Sequence, residues 1–147
     1  MSTNNQLQRA VLLIRLVCCG FLVFAFCWWL AVIPALDGPA RFILDVSDWP
    51  FDGNFDDMHR ASRFLSAIGS GLLVGLSVLL LFVVVPEIKR RNANVVRGAV
   101  FAVLAWYVVD SLGCALLGIY SNVVLNTVYA AAIIPPLLMA GRAIKHS

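Results

Sequence analysis

FLSAIGSGLLVGLSVLLLFVVV, residues 64–85, contains no ionisable side chain, and the basic run Lys89-Arg90-Arg91 follows shortly after it. A helix needs about 20 predominantly apolar residues to cross a hydrocarbon layer about 30 Å thick, and a helix satisfies all of its backbone polar groups within the segment. The stretch meets that length, so it reads as a transmembrane helix. The segments on either side then decide the fold.

Working outward, three further apolar runs have the same character: residues 10–34, 98–119 and 123–140. The whole chain is 61% hydrophobic and 13% charged, against about 45–50% and about 25% in soluble domains. These numbers predict an all-α integral membrane protein, a four-helix bundle forming one domain over residues 1–147. The first run, although preceded by Arg9, continues from Leu16 to Leu36, longer than the ~7–15 residues of a signal-peptide core. No A-x-A site closes it, and Cys18 occupies the place before Cys19 where a lipoprotein signal wants a small residue. It reads as a retained helix.

Lys and Arg close to the ends of spans mark the side that is not translocated. Arg9 and Arg15 flank the first span, Lys89, Arg90, Arg91 and Arg97 lie between the second and third, and Arg142 and Lys145 follow the fourth. Residues 35–63 carry six Asp (37, 45, 48, 52, 56 and 57) against Arg41, Arg60 and Arg63. The predicted topology therefore has both termini cytoplasmic and one acidic external loop between helices 1 and 2. In a bacterial inner membrane that loop is periplasmic, and Trp28, Trp29 and Tyr120 fall at the outer boundary, where aromatic rings concentrate.

Inside the loop, Asp37-Gly38-Pro39 reads as a helix start, with Phe42, Ile43, Val46 and Trp49 holding a short helix against the bilayer surface. Asn54 and Asp57 resemble a cap for the next helix. Read as a calcium loop from Asp48, the segment has Asp52 and Gly53 in place but Pro50 and His59 where ligands belong. A looser cation site from Asp48, Asp52, Asp56 and Asp57 is the remaining metal reading.

DWPFDG at 48–53, followed by RFLSAIGSGLLVG at 63–75, resembles a segment of small four-helix inner-membrane proteins of proteobacteria. The resemblance covers residues 44–75. It implies the fold and the location, and no chemistry.

Polar groups inside the spans need explaining, since a charged side chain at the middle of a membrane helix costs at least about 2.5–3.5 kcal/mol. Arg15 has a long stem that reaches back to the headgroups. Asp110 does not: by helix rise it lies about 20 Å from the inner surface and about 15 Å from the outer one. With the third and fourth spans turning about Ser121, the residue facing Asp110 is near Ala132, a turn from Tyr129. Asn122, Asn126 and Tyr129 share a face, as do Ser62, Ser66 and Ser70 on the second span. The expectation is a polar cluster of Ser66, Ser70, Asp110, Asn126 and Tyr129 with Arg63 as counter-charge. It reads either as hydrogen bonding between helices or as a small outward-facing pocket.

Gly71-x-x-x-Gly75 is a close-packing stripe for another helix, within the chain or in a second copy. Pro135-Pro136 is expected to kink or break the last helix. Cys18, Cys19, Cys27 and Cys114 form no C-x-x-C pair; buried thiols are the default, with a Cys27–Cys114 bridge as the alternative. His59 and His146 both lie outside the spans, so haem has no axial pair and no cofactor is expected. No nucleotide loop, nucleophile–base pair or zinc motif occurs, so the sequence does not argue for an enzyme. The net charge of +3 comes from the inner face, which touches anionic lipid rather than nucleic acid. Two functional readings stand: a non-enzymatic scaffold or accessory subunit acting through helix packing and its loop, alone or as a homo-oligomer or with a membrane partner, and a small transporter or channel component built around Asp110.

Overall fold

The computed structural model describes residues 3–50, 52, 53, 55 and 58–145. Its elements are helical: α1 (Thr3–Trp29), two single 3₁₀ turns (Leu30–Val32 and Pro34–Leu36), α2 (Gly38–Ser47), α3 (Arg60–Leu79), a π turn (Leu80–Val84), α4 (Val85–Lys89), α5 (Ala93–Leu116) and α6 (Tyr120–Lys145). The π turn joins α3 and α4 into one run, so four helices are long and apolar enough to cross a membrane. α6 continues through Pro135 and Pro136; the break expected there is absent. A proline costs a helix one backbone hydrogen bond and a clash a turn back, which membrane helices tolerate where neighbouring groups adjust.

The surface of these helices is the apolar part. Only 17–33% of the most apolar stretch of each span is buried, and Leu72, Phe82, Phe101, Val109 and Leu116 are among the exposed side chains, while Ser66, Ser70, Ser77 and Asn126 are inside. A soluble protein does not leave apolar surface on that scale open. Four apolar helices with this distribution make the chain a multi-pass membrane protein.

Packing follows the order α3, α1, α6, α5: α3 lies on α1, α1 on α6 and α6 on α5. Along most of its length α3 is not packed on α5. The two edges approach only below the π turn, where α4 and the turn reach α5, and the main core lies there: Ile14, Cys18, Leu80, Val84, Ile88, Val103, Ile133 and Leu137. Arg91 donates to Asn4 Oδ1 (3.2 Å), which brings the turn after α4 to the start of α1. At the opposite end α2 folds back over α1 and α6, tied down where the Ser121 hydroxyl donates to the Ser47 carbonyl (2.6 Å) and accepts from the Trp49 amide (3.1 Å).

The α5–α6 hairpin turns at Gly118, whose φ of 79° suits the left-handed residue that closes a helix. Ile119 N–H bonds the Cys114 carbonyl and Gly118 N–H that of Ala115, the Schellman arrangement. The pivot is therefore Gly118 rather than Ser121, and the facing residues shift accordingly.

Candidate functional site

Polar chemistry gathers at two places. The first is the rim of the bundle at the α2 end. Asp37 precedes α2, and its carboxylate does not cap that helix. Instead it accepts from Arg41 Nε (2.7 Å) and Nη2 (3.1 Å) and from Arg63 Nη2 (2.7 Å). Arg63 also donates from Nε to the Met58 carbonyl (3.2 Å) and from Nη1 to the Ala31 carbonyl. One guanidinium thus joins the 3₁₀ turn after α1, the start of α2, the chain entering α3 and α3 itself. Asp37 is 3% exposed, and the hydrogen bonds of Arg41, with the further pull of Arg63, hold its carboxyl below the ordinary value.

The second place is the α5–α6 interface. Asn122 Nδ2 lies 3.0 Å from Cys114 Sγ; Asn126 Nδ2 donates to Asp110 Oδ2 (2.8 Å) and, more distantly, to Ser111 Oγ (3.4 Å); the Tyr107 and Thr127 hydroxyls are 3.0 Å apart. The rungs step down two antiparallel helices at one-turn intervals. Positions 107, 110, 111 and 114 on α5 and 122, 126 and 127 on α6 share the faces set by the Gly118 pivot. Asp110 is about 9 Å from the end of α5 by helix rise, nearer the boundary than expected because α5 ends at Leu116.

The expected cluster is brought together in part. Asp110 and Asn126 meet. Arg63 does not reach Asp110: it belongs to the rim, where a full ion pair is less costly than one drawn into hydrocarbon, and α3 carries it along the far edge of the layer from α5. Ser66 and Ser70 lie on that same helix, buried where it packs on α1, and the Ser70 hydroxyl donates to the carbonyl of Ala67 (3.0 Å) in its own helix. Tyr129 stands edge-on between Phe21 and Phe24 of α1, with ring centroids at 5.6 and 5.5 Å, an aromatic contact rather than a rung. The helix-facing face of α3 includes a feature the sequence did not disclose: a Cβ on Gly69 would fall within the indole ring of Trp28, so glycine there is what lets the ring seat.

Gly71 and Gly75 face outward, and a Cβ built on either meets nothing. Their stripe is therefore not used for packing inside the chain. Of the loose cation set, Asp56 and Asp57 lie outside the described residues, as does Asn54 of the expected cap; α3 begins after His59 without a side-chain cap bond. Among the described residues no three His, Cys, Asp or Glu gather to hold a metal ion. All four cysteines are free thiols, so the Cys27–Cys114 bridge is absent. A groove of about 370 Å³ lies between α1 and α2, lined by Gly20, Phe24, Cys27, Pro39 and Phe42 among others; its walls are apolar, and Asp110 is not among them.

The residues missed in the sequence, Asp37, Arg41, Tyr107, Ser111 and Thr127, are those whose partners depend on which helices are neighbours. The Gly118-Ile119 step was the available signal for the register, as a helix-stop glycine. The chain matches no family model, no curated protein and no solved structure.

Proposed function

We propose that this chain is a non-enzymatic scaffold or accessory subunit of a bacterial inner membrane, with both termini cytoplasmic, that associates with other membrane helices through the face of α3 bearing Gly71 and Gly75. One observation carries the reading: both glycines are exposed, and space is open beyond each. Small residues in register let helix backbones approach closely, which is how packing drives association where lipid removes the hydrophobic difference. The orientation rests on the basic residues at the ends of α1, α4, α5 and α6 and on the acidic segment at the other end. The likeness to small proteobacterial inner-membrane proteins supports the location.

A photo-crosslinking residue at Leu72, which is 70% exposed, tests this in intact cells. The expected result is a protein adduct, to a second copy or to a partner, that disappears in the Gly71→Leu/Gly75→Leu variant. Adducts to lipid alone would sink the proposal.

The second reading, a small transporter or channel component, rests on Asp110 being only part-buried. A cysteine at 110 in a cysteine-free background separates the two: labelling by a membrane-impermeant thiol reagent at the rate of a cysteine at Asp52 favours an outward water-filled pocket, and protection favours the scaffold.

A further inference from the structure

We propose that the outer half of α5 is a docking face for a transmembrane helix of another protein that carries a lysine or arginine at the level of Asp110. This concerns the opposite edge of the layer from Gly71 and Gly75 and does not depend on the reading of that stripe.

Asp110 accepts one hydrogen bond, from Asn126, although a carboxylate has room for about four. Its side chain is part-buried rather than enclosed, about 9 Å along the helix from the end of α5, so a hydrocarbon layer about 30 Å thick centred on that helix includes it. At such a position a charge is costly until it is paired.

The helix around it is correspondingly bare. α5 is the least buried span, with 17% of its most apolar stretch covered. The rungs to α6 come from Tyr107, Asp110, Ser111 and Cys114. Val109 and Gly113 lie around the helix on the other side of Asp110, both exposed, and a Cβ on Gly113 meets nothing. A helix laid there reaches the backbone closely over Gly113 and comes beside the carboxylate.

The chain's own cations at that end of the layer lie elsewhere. Arg63 is held by Asp37, Ala31 and Met58, and Arg60 is the first residue of α3, which packs on α1 at the far edge from α5. Arg15, the one basic residue far inside a span, lies about 21 Å from the end of α1 by helix rise, about 12 Å off the level of Asp110. A second copy in the same orientation has its Arg15 at that same wrong level, so self-association does not pair the two. The occupant this face fits is a different helix with its cation in the matching outer third. Charge complementarity of this kind fixes register and partner more than it adds affinity.

The test uses model peptides with the full chain in liposomes. A polyleucine transmembrane peptide with one lysine at the depth of Asp110, about 6 Å inside the outer edge of a layer about 30 Å thick centred on α5, is compared by energy transfer with an all-leucine peptide and with one whose lysine is about 12 Å deeper, all with the Gly71→Leu/Gly75→Leu variant as host so that the α3 face is silent. The expected result is an association constant about tenfold higher for the matched lysine, lost in Asp110→Asn and also in Gly113→Leu. The second variant leaves the Asp110–Asn126 bond intact and fills only open space, so it reports on docking even if the first folds poorly. Equal association of the three peptides, no association of any, or a matched-lysine preference that survives both substitutions would each overturn the proposal.

Discussion

The two hairpin-like pairs at the edges of the layer, α1 with α3 and α5 with α6, solve the same problem with opposite chemistry. Between α1 and α3 the polar groups turn inward on themselves: Ser70 and Ser77 donate to carbonyls of their own helix, Trp28 fills the space over Gly69, and the ion pair of Arg63 with Asp37 is kept at the rim. Between α5 and α6 the polar groups reach across, one rung per turn, with a carboxylate among them. The difference teaches where a charge can sit. At the rim, water and headgroups are near and Asp37 is surrounded by two guanidinium groups; inside, a single carboxylate is tolerated with one amide donor and an open flank.

The largest expected effect breaks the rim. Arg63→Met removes three hydrogen-bonding connections at once and leaves Asp37, 3% exposed, with Arg41 alone. A buried charge that loses a partner is among the costliest single changes, so thermal unfolding in detergent should move down further than for any other variant considered. The same site sets a pH dependence. Because the folded-state pKa of Asp37 lies below its ordinary value of 3.8, its contribution is fully present above about pH 4 to 5 and is lost as pH falls through the folded value. Stability should be flat from pH 8 to 5 and fall in acid. Arg63→Met should fall less steeply there.

Next in size is Gly69→Leu. With Trp28 already over the α-carbon, any side chain forces the ring out, and overpacking of this kind costs about 1–3 kcal/mol. Gly71→Leu, two residues on, fills open space and should leave monomer stability within about 0.5 kcal/mol. Matched melting curves of the two variants check this, and equal losses would show that the α1–α3 contact is not the one described.

Asn126→Leu attacks the other pair. Hydrogen bonds between membrane helices average about 0.6 kcal/mol, with a maximum near 1.7, and here the loss also strips Asp110 of its donor, so about 1–2 kcal/mol is expected. Replacing both partners, Asp110→Leu with Asn126→Leu, should recover most of it, because the carboxylate is then gone and only the long 3.4 Å contact to the Ser111 hydroxyl is lost. A double variant no better than the single would mean that Asp110 has support elsewhere.

How much of this was legible in the sequence follows from which quantities are local. The four spans, the short helix that starts at Asp37-Gly38-Pro39 and the polar character of positions 110 and 126 are local features of the chain, and each is present, although that helix stops at Ser47, before Trp49. Pairings across helices are not local. A pivot at Ser121 sets Ala132 opposite Asp110, whereas the pivot at Gly118 sets Asn126 there, almost two turns away, so membership of the polar cluster is legible for Asn126 and its register is not. Sequence depth alone lets Arg63 lean inward from the rim as the counter-charge of Asp110. In the fold, depth matters less than adjacency: α3 packs on α1, and Asp37 lies within reach at the same rim. Nothing in the amino-acid order states that α3 and α5 occupy opposite edges.

The smallest effect separates donor from acceptor at the last rung. The Thr127 hydroxyl donates to the Val123 carbonyl at 2.8 Å, which uses its one hydrogen, so in the 3.0 Å contact with Tyr107 the tyrosine must be the donor. Tyr107→Phe removes that donor and leaves Thr127 with its bond to Val123, so the cost should not exceed about 0.6 kcal/mol. Thr127→Val instead leaves the Tyr107 hydroxyl without its acceptor against an apolar neighbour, and an unmade bond costs more than a deleted one. Thr127→Val should therefore lower the melting midpoint more than Tyr107→Phe, although both delete the same contact. If the order is reversed, the proton lies on the other oxygen. If neither substitution is felt, the rung is open to lipid headgroups or water, and the polar ladder of α5 and α6 ends at Asp110.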